Sequence, residues 1–163
     1  MNLSVALLAA LLIGILSGLR ALTPVAVLTW AAQLHEVQFE GTHHSFLGSK
    51  IALVIFTLAA LGELVRDKLP NTPSRTEFSG LIPRVLLGAF CGASLGLLSA
   101  AVAGYPAITL GALAGAAGAV VGCFGGYQAR VGLRKALGVP DIVVALLEDL
   151  VAIGGSLLLI SRF

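Results

Sequence analysis

Residues 3–34 read LSVALLAALLIGILSGLRALTPVAVLTWAAQL, an apolar run with a single charge, Arg20, near its middle. At 1.5 Å per residue a continuous helix of this length would be ~48 Å long, well beyond the ~30 Å hydrocarbon core of a bilayer. The run therefore has to bend or break. Residues 17–24, Ser-Gly-Leu-Arg-Ala-Leu-Thr-Pro, are where that is expected. Gly18 loosens the backbone, Pro24 lacks a donor, and the hydroxyls of Ser17 and Thr23 can satisfy backbone groups that a break sets free. No basic segment precedes the run and it is longer than a secretory leader, so it is expected to remain in the mature chain.

Outward from this run, four more apolar stretches follow at residues 48–65, 81–103, 107–127 and 142–160. The 163 residues are 58% hydrophobic and only 11% charged, with a mean hydropathy of +1.01. An ordinary soluble domain has about a quarter of its residues charged. The composition predicts an all-α, polytopic transmembrane helical bundle of about five spans, one integral membrane domain over 1–163, with the first span broken near Gly18 to Pro24. A net charge of +2 with scattered basic residues gives no footprint for nucleic acid. No cofactor motif is present, and Cys91 and Cys123 lie inside apolar runs with neither redox nor zinc spacing. His35, His43 and His44 with Glu36 and Glu40 lack tight ligand spacing, so no metal site is assigned.

If the first run crosses once, the even-numbered loops carry Arg66, Lys68, Arg75, Arg84, Arg130, Arg134 and Lys135, against Lys50 and Arg162 opposite. The positive-inside rule then places the N-terminus in the cytoplasm and the C-terminus outside. A re-entrant hairpin in the first run would move the N-terminus outside and leave the rest in place.

Two series at four-residue spacing, Gly88-Gly92-Gly96 and Gly118-Gly122-Gly126, make smooth helix faces. Small residues let backbones approach in lipid, so the third and fourth spans, separated by Gly104-Tyr105-Pro106, are expected to form a tight antiparallel hairpin. Gly14 with Gly18 and Gly111 with Gly115 extend the pattern, and the same faces would also serve a homo-oligomer. Gly138-Val139-Pro140-Asp141 is expected to stop one helix and cap the next, and Ser74 to Glu77 has capping-box spacing.

A charge inside a span costs at least ~2.5 kcal/mol on insertion scales, so each one needs a partner or a polar cavity. Arg20, Glu63, Glu148 and Asp149 stand out, with Asp67 one turn after Glu63. Adjacent helical residues differ by about 100°, so Glu148 and Asp149 face different ways, whereas Asp141 shares the face of Glu148. Arg20 against Glu148 or Asp149 would make a structural ion pair. The alternative is an ion or substrate site comprising Arg20, Glu63, Asp67, Glu148 and Asp149. Arg84, Arg130, Arg134 and Lys135 are expected to contact anionic lipid headgroups.

The segments Gly18 to Pro24, Glu63-Leu64-Val65-Arg66-Asp67-Lys68-Leu69-Pro70, Pro83-Arg84 and Leu147-Glu148-Asp149 with Ala152 resemble the motif series of a small bacterial integral membrane family, domain of unknown function number 4126. The resemblance spans nearly the whole chain and implies a bacterial inner-membrane protein without implying an activity. This chain departs from the pattern in carrying Arg20 where relatives have Asn, and Pro83-Arg84 where they have Arg-Pro.

These features favour a small transporter or channel-like protein for an ion or small solute, with Glu148 and Asp149 taking a cation or proton. An enzyme or binder acting on anionic lipid headgroups is the second reading. In it Glu63, Asp67 and Asp141 would hold a divalent cation and Arg84 and Arg134 a phosphate, although no nucleophile motif is present. A structural subunit of a membrane complex is the third.

Overall fold

The computed structural model describes residues 2–39, 41–68, 76–99 and 104–162. Among them are six helices and no strand. They are α1 (Leu3–Leu19), α2 (Thr23–Gln33), α3 (Lys50–Arg66), α4 (Phe78–Leu97), α5 (Pro106–Leu137) and α6 (Asp141–Ile160), with a 3-10 turn (Ser45–Gly48) before α3. The end of the third apolar run, Glu40, Leu69, Pro70, Ser74 and Arg75 lie outside the described residues.

The first run breaks where its composition predicts. Arg20 is extended, with φ −138° and ψ 114°, and ends α1. Pro24 falls in the first turn of α2, where its missing N–H costs nothing. At the far end of α2, His35 takes a left-handed φ of 61°. There the Glu36 amide donates to the Ala31 carbonyl at 3.0 Å and the His35 amide to Ala32 at 3.3 Å, which closes the helix.

Contacts between helices fix their directions. Gly14 meets Gly115 and Gly18 meets Ala119 and Gly122, so α1 runs parallel to α5. Gly88, Gly92 and Gly96 meet Gly115, Gly111 and Ala107 in turn, so α4 runs antiparallel to α5. The Leu22 amide reaches Glu63 and the Trp30 indole reaches Thr57, so α2 runs antiparallel to α3. The long first run is thus a helical hairpin whose direction reverses over residues 20–22, and not one crossing. The start of α1 lies at the same end of the bundle as the end of α6, the arrangement of the hairpin alternative.

Helix α5 is sandwiched between α1 and α4 through its glycines. A Cβ on Gly115 would lie 2.1 Å from the Gly88 carbonyl oxygen, and one on Gly122 would lie 2.0 Å from that of Ile15. Only glycine permits such backbone contact, and Gly118 and Gly126 on the same helix are buried too. The apolar core continues through Ile13, Val25, Leu28, Leu47, Leu95 and Ile160. Large apolar side chains also point outward, including Ile51, Ile55, Leu58 and Val65 of α3. Helices α4, α5 and α6 are each long and apolar enough to cross a membrane, and α1 is a shorter apolar helix.

Helix α5 continues ten residues past the apolar run that predicts it, because residues 128–137 are mostly good helix formers up to Gly138. Gly138, with φ 62°, makes the stop. Pro140 holds the N-cap position of α6, so Asp141 is its first helical residue and not its cap. Glu77 is likewise the N-cap residue of α4, which leaves it out of place for a box with Ser74.

Candidate functional site

Three helix segments converge on the break after α1: the last turn of α3, the first turns of α4 and the first half of α6. Arg20, whose side chain is 0% exposed, is the centre of the site. Its Nε donates to Asp149 Oδ1 at 2.7 Å, and its Nη2 lies 2.6 Å from the same oxygen as a charge contact without hydrogen-bond alignment. Its Nη1 pairs with Asp67 Oδ2. Asp149 Oδ2 also accepts from Lys68 Nζ at 2.6 Å. One guanidinium therefore ties α1 to both α3 and α6.

Glu63 has a different task. Its two carboxylate oxygens accept from the Ala21 and Leu22 amides, each at 2.8 Å. These amides are left without helical partners when α1 stops, and an anion at the start of α2 also complements the helix dipole. Glu63 is thus the cap of α2, supplied by another helix. The break and the carboxylate stabilise each other.

Arg84, expected at headgroups, is turned inward and buried. Pro83 beside it cannot donate, and the Arg84 side chain bonds the Gly80 carbonyl at 2.7 Å within this loosened first turn. Its Nη2 lies 3.5 Å from Asp67 and 3.8 Å from Glu63. The Arg84 carbonyl accepts from Ser17 Oγ at 3.3 Å. Arg130 pairs with Asp141 and reaches Glu148 at 3.4 Å, so one cation bridges the face shared by Asp141 and Glu148. Arg134 lies exposed, 3.4 Å from Asp141, and Lys135 is exposed at the tip of α5.

The structure thus brings Arg20, Asp67 and Asp149 into direct contact, with Glu63 at the break and Glu148 on a separate cation. Asp141 pairs with Arg130 and Arg134, whereas Glu63 and Asp67 converge on Arg84. The three carboxylates considered as one divalent set therefore belong to two groups. Sequence reasoning missed the inward turn of Arg84 and the role of Lys68, for which Pro83 was the available signal.

At the opposite end of the bundle His44 accepts or donates at 2.8 Å with Ser94 Oγ and stacks on Phe90 with ring centroids 4.9 Å apart. Partial burial, reinforced by neighbouring His43, lowers its pKa below the ordinary 6.5.

No curated protein and no solved structure matches the chain. A family model described as a domain of unknown function, DUF4126, matches residues 7–162, and with the charged motif residues gathered at one helix break the chain belongs to that family.

Proposed function

We propose that the chain is a multi-pass membrane protein that acts as a small transporter or channel-like protein for an ion or small solute. The observation that carries this reading is Arg20, fully buried at a helix break and held between carboxylates from two other helices. Buried ion pairs seldom stabilise a fold better than apolar packing of the same volume, so a lattice of this size favours a working site over a mere fastening. Discontinuous helices are where transporters expose backbone groups and helix ends to solutes.

In this reading α1, α3, α4, α5 and α6 are five helical spans, and α2 with the chain between it and α3 makes the return crossing from the end of α1 to the start of α3, six passes in all. The level of Gly18, which meets α5 at Ala119 to Cys123, is ~20–26 Å along α5 from Pro106. In a ~30 Å core beginning at Pro106, the charges therefore lie toward the cation-rich face. By the positive-inside rule that face is the cytoplasmic side of a bacterial inner membrane, and both termini are on the other side. Exposed Arg134 and Lys135 would meet headgroups there. The paired charges close the path. A passing cation that competes for Glu148 or Asp149 would displace Arg130, Arg20 or Lys68 from them.

Flux of candidate ions into proteoliposomes, with wild type compared with Glu148→Gln and Asp149→Asn, is the test. Flux should fall at least tenfold in the variants. Equal flux in all three would remove these carboxylates from the mechanism.

A further inference from the structure

A hollow of about 300 Å³ lies between α2, α3 and α6, walled by Ala26 and Trp30, by Ala60 and Leu64, and by Ile153 and Leu157. A second hollow of about 290 Å³ shares Val27, Trp30 and Leu157 with it and extends along α2 to Leu34 and Ser161. Together they form one groove of ligand size, open on its outer side. Its walls are mostly apolar, with Thr57 along one side, Glu36 and Ser161 at the outer end and Thr23 at the inner end. There Thr23, 4% exposed, lines the hollow, and its buried hydroxyl oxygen has no hydrogen-bond partner among the described residues. A buried hydroxyl left unpaired costs free energy that a ligand acceptor would recover.

We propose that this groove binds one acyl chain of a phospholipid from the leaflet at the cation-rich end, with the ester carbonyl accepting from Thr23. Three features of the groove select this occupant. Helix α2, which it follows, is ~16 Å long, and the hydrocarbon of one leaflet is about 15 Å deep, half of a ~30 Å core. Thr57 and Ser161 hydroxyls along the groove are already bonded, and the one without a partner among the described residues, Thr23, stands at the inner end, as an ester stands at one end of a chain. Arg66 and Lys68 close α3 just beyond that end, where an anionic phosphate would lie next to the carbonyl. The bound chain would brace the short helix α2 against α3 and α6. The proposal rests on the membrane reading above and is independent of transport.

Trp30 is the only tryptophan, its indole N–H is held by Thr57 at 3.1 Å, and it stands two turns from Thr23, ~10 Å along the chain. In detergent, purified protein is titrated with phosphatidylglycerol brominated at mid-chain, and Trp30 fluorescence is read. Quenching should saturate near one equivalent. Thr23→Val should weaken binding about 2- to 10-fold, the loss of one neutral hydrogen bond, while Thr23→Ser stays within about twofold of wild type. Ala26→Leu, which fills the groove, should remove the saturable phase with little change in the melting curve. Linear quenching in wild type, identical affinity in Thr23→Val, or tighter binding of the matching brominated free fatty acid would overturn the proposal. Failure of the flux assay leaves this measurement untouched, so the two readings fail separately.

Discussion

The contact of α5 with α1 and α4 and the contact at the α1–α2 break are two ways of holding helices together in one small bundle. In the first, glycines bring backbones to a separation at which no Cβ fits, and no charged side chain is needed. In the second, the backbone is irregular, its free amides go to Glu63, and charges from distant parts of the chain fill the space. The first tolerates no added atom. The second cannot lose one partner without leaving the others as buried, unpaired charges. A rigid half and a half whose integrity depends on charge state are thus joined in one domain.

The sharpest way to break the comparison is at Gly115. Gly115→Ala puts a Cβ 2.1 Å from the Gly88 carbonyl oxygen, backbone that cannot move aside without separating α4 from α5. The expected cost exceeds ~3 kcal/mol, seen as loss of folded protein in detergent by size exclusion and thermal melting. Gly62→Ala, whose Cβ would meet nothing within 4 Å, should be neutral or stabilising by up to ~1 kcal/mol. Equal destabilisation by both would show that the close glycine contact does not organise the bundle.

Next in size is Arg20→Met, which leaves Asp67 and Asp149 without their shared cation and should cost about 3–5 kcal/mol in the same melting assay. Adding Asp149→Leu should return part of that stability. If the charge lattice is a working site, flux should stay absent in the refolded double variant. Recovery of flux along with stability would reduce the lattice to a structural fastening.

The smallest expected effect is at the opposite end, where His44 packs on Phe90. Its native pKa is lowered below 6.5, so the unfolded chain binds more protons below that pH. Stability is then level above about pH 6.5 and falls as pH drops below it. His44→Gln should flatten this dependence in a melting series from pH 7.5 to 5, and an unchanged slope would assign it to other groups.

The glycine half is the part that the sequence makes legible. Spacing of four residues survives into three dimensions as a helix face, so Gly88, Gly92 and Gly96 could be matched to α5 without coordinates. The break at residues 17–24 is visible for the same local reason. The pairing of Arg20 with Asp149 was one of two local alternatives, but its sharing with Asp67 and Lys68 is a tertiary arrangement across three helices. Nor does local sequence tell whether a broken run goes on or turns back. Three residues outside the helices allow either, and Glu63, forty-one residues away, captures the freed Leu22 amide in the returning form.

The separation of Arg20 from Asp149 by 129 residues also orders the birth of the molecule. During translation Arg20 emerges first, and its carboxylate partner on the last helix follows on the order of ten seconds later at ordinary elongation rates. Until then Asp67 is the one of its two directly bonded carboxylates that has been made. The glycine contacts of α5 with α1 and α4 need only the first five helices, so they can close before α6 arrives. Assembly then ends with the last helix locking a charge that the first one had carried from the start.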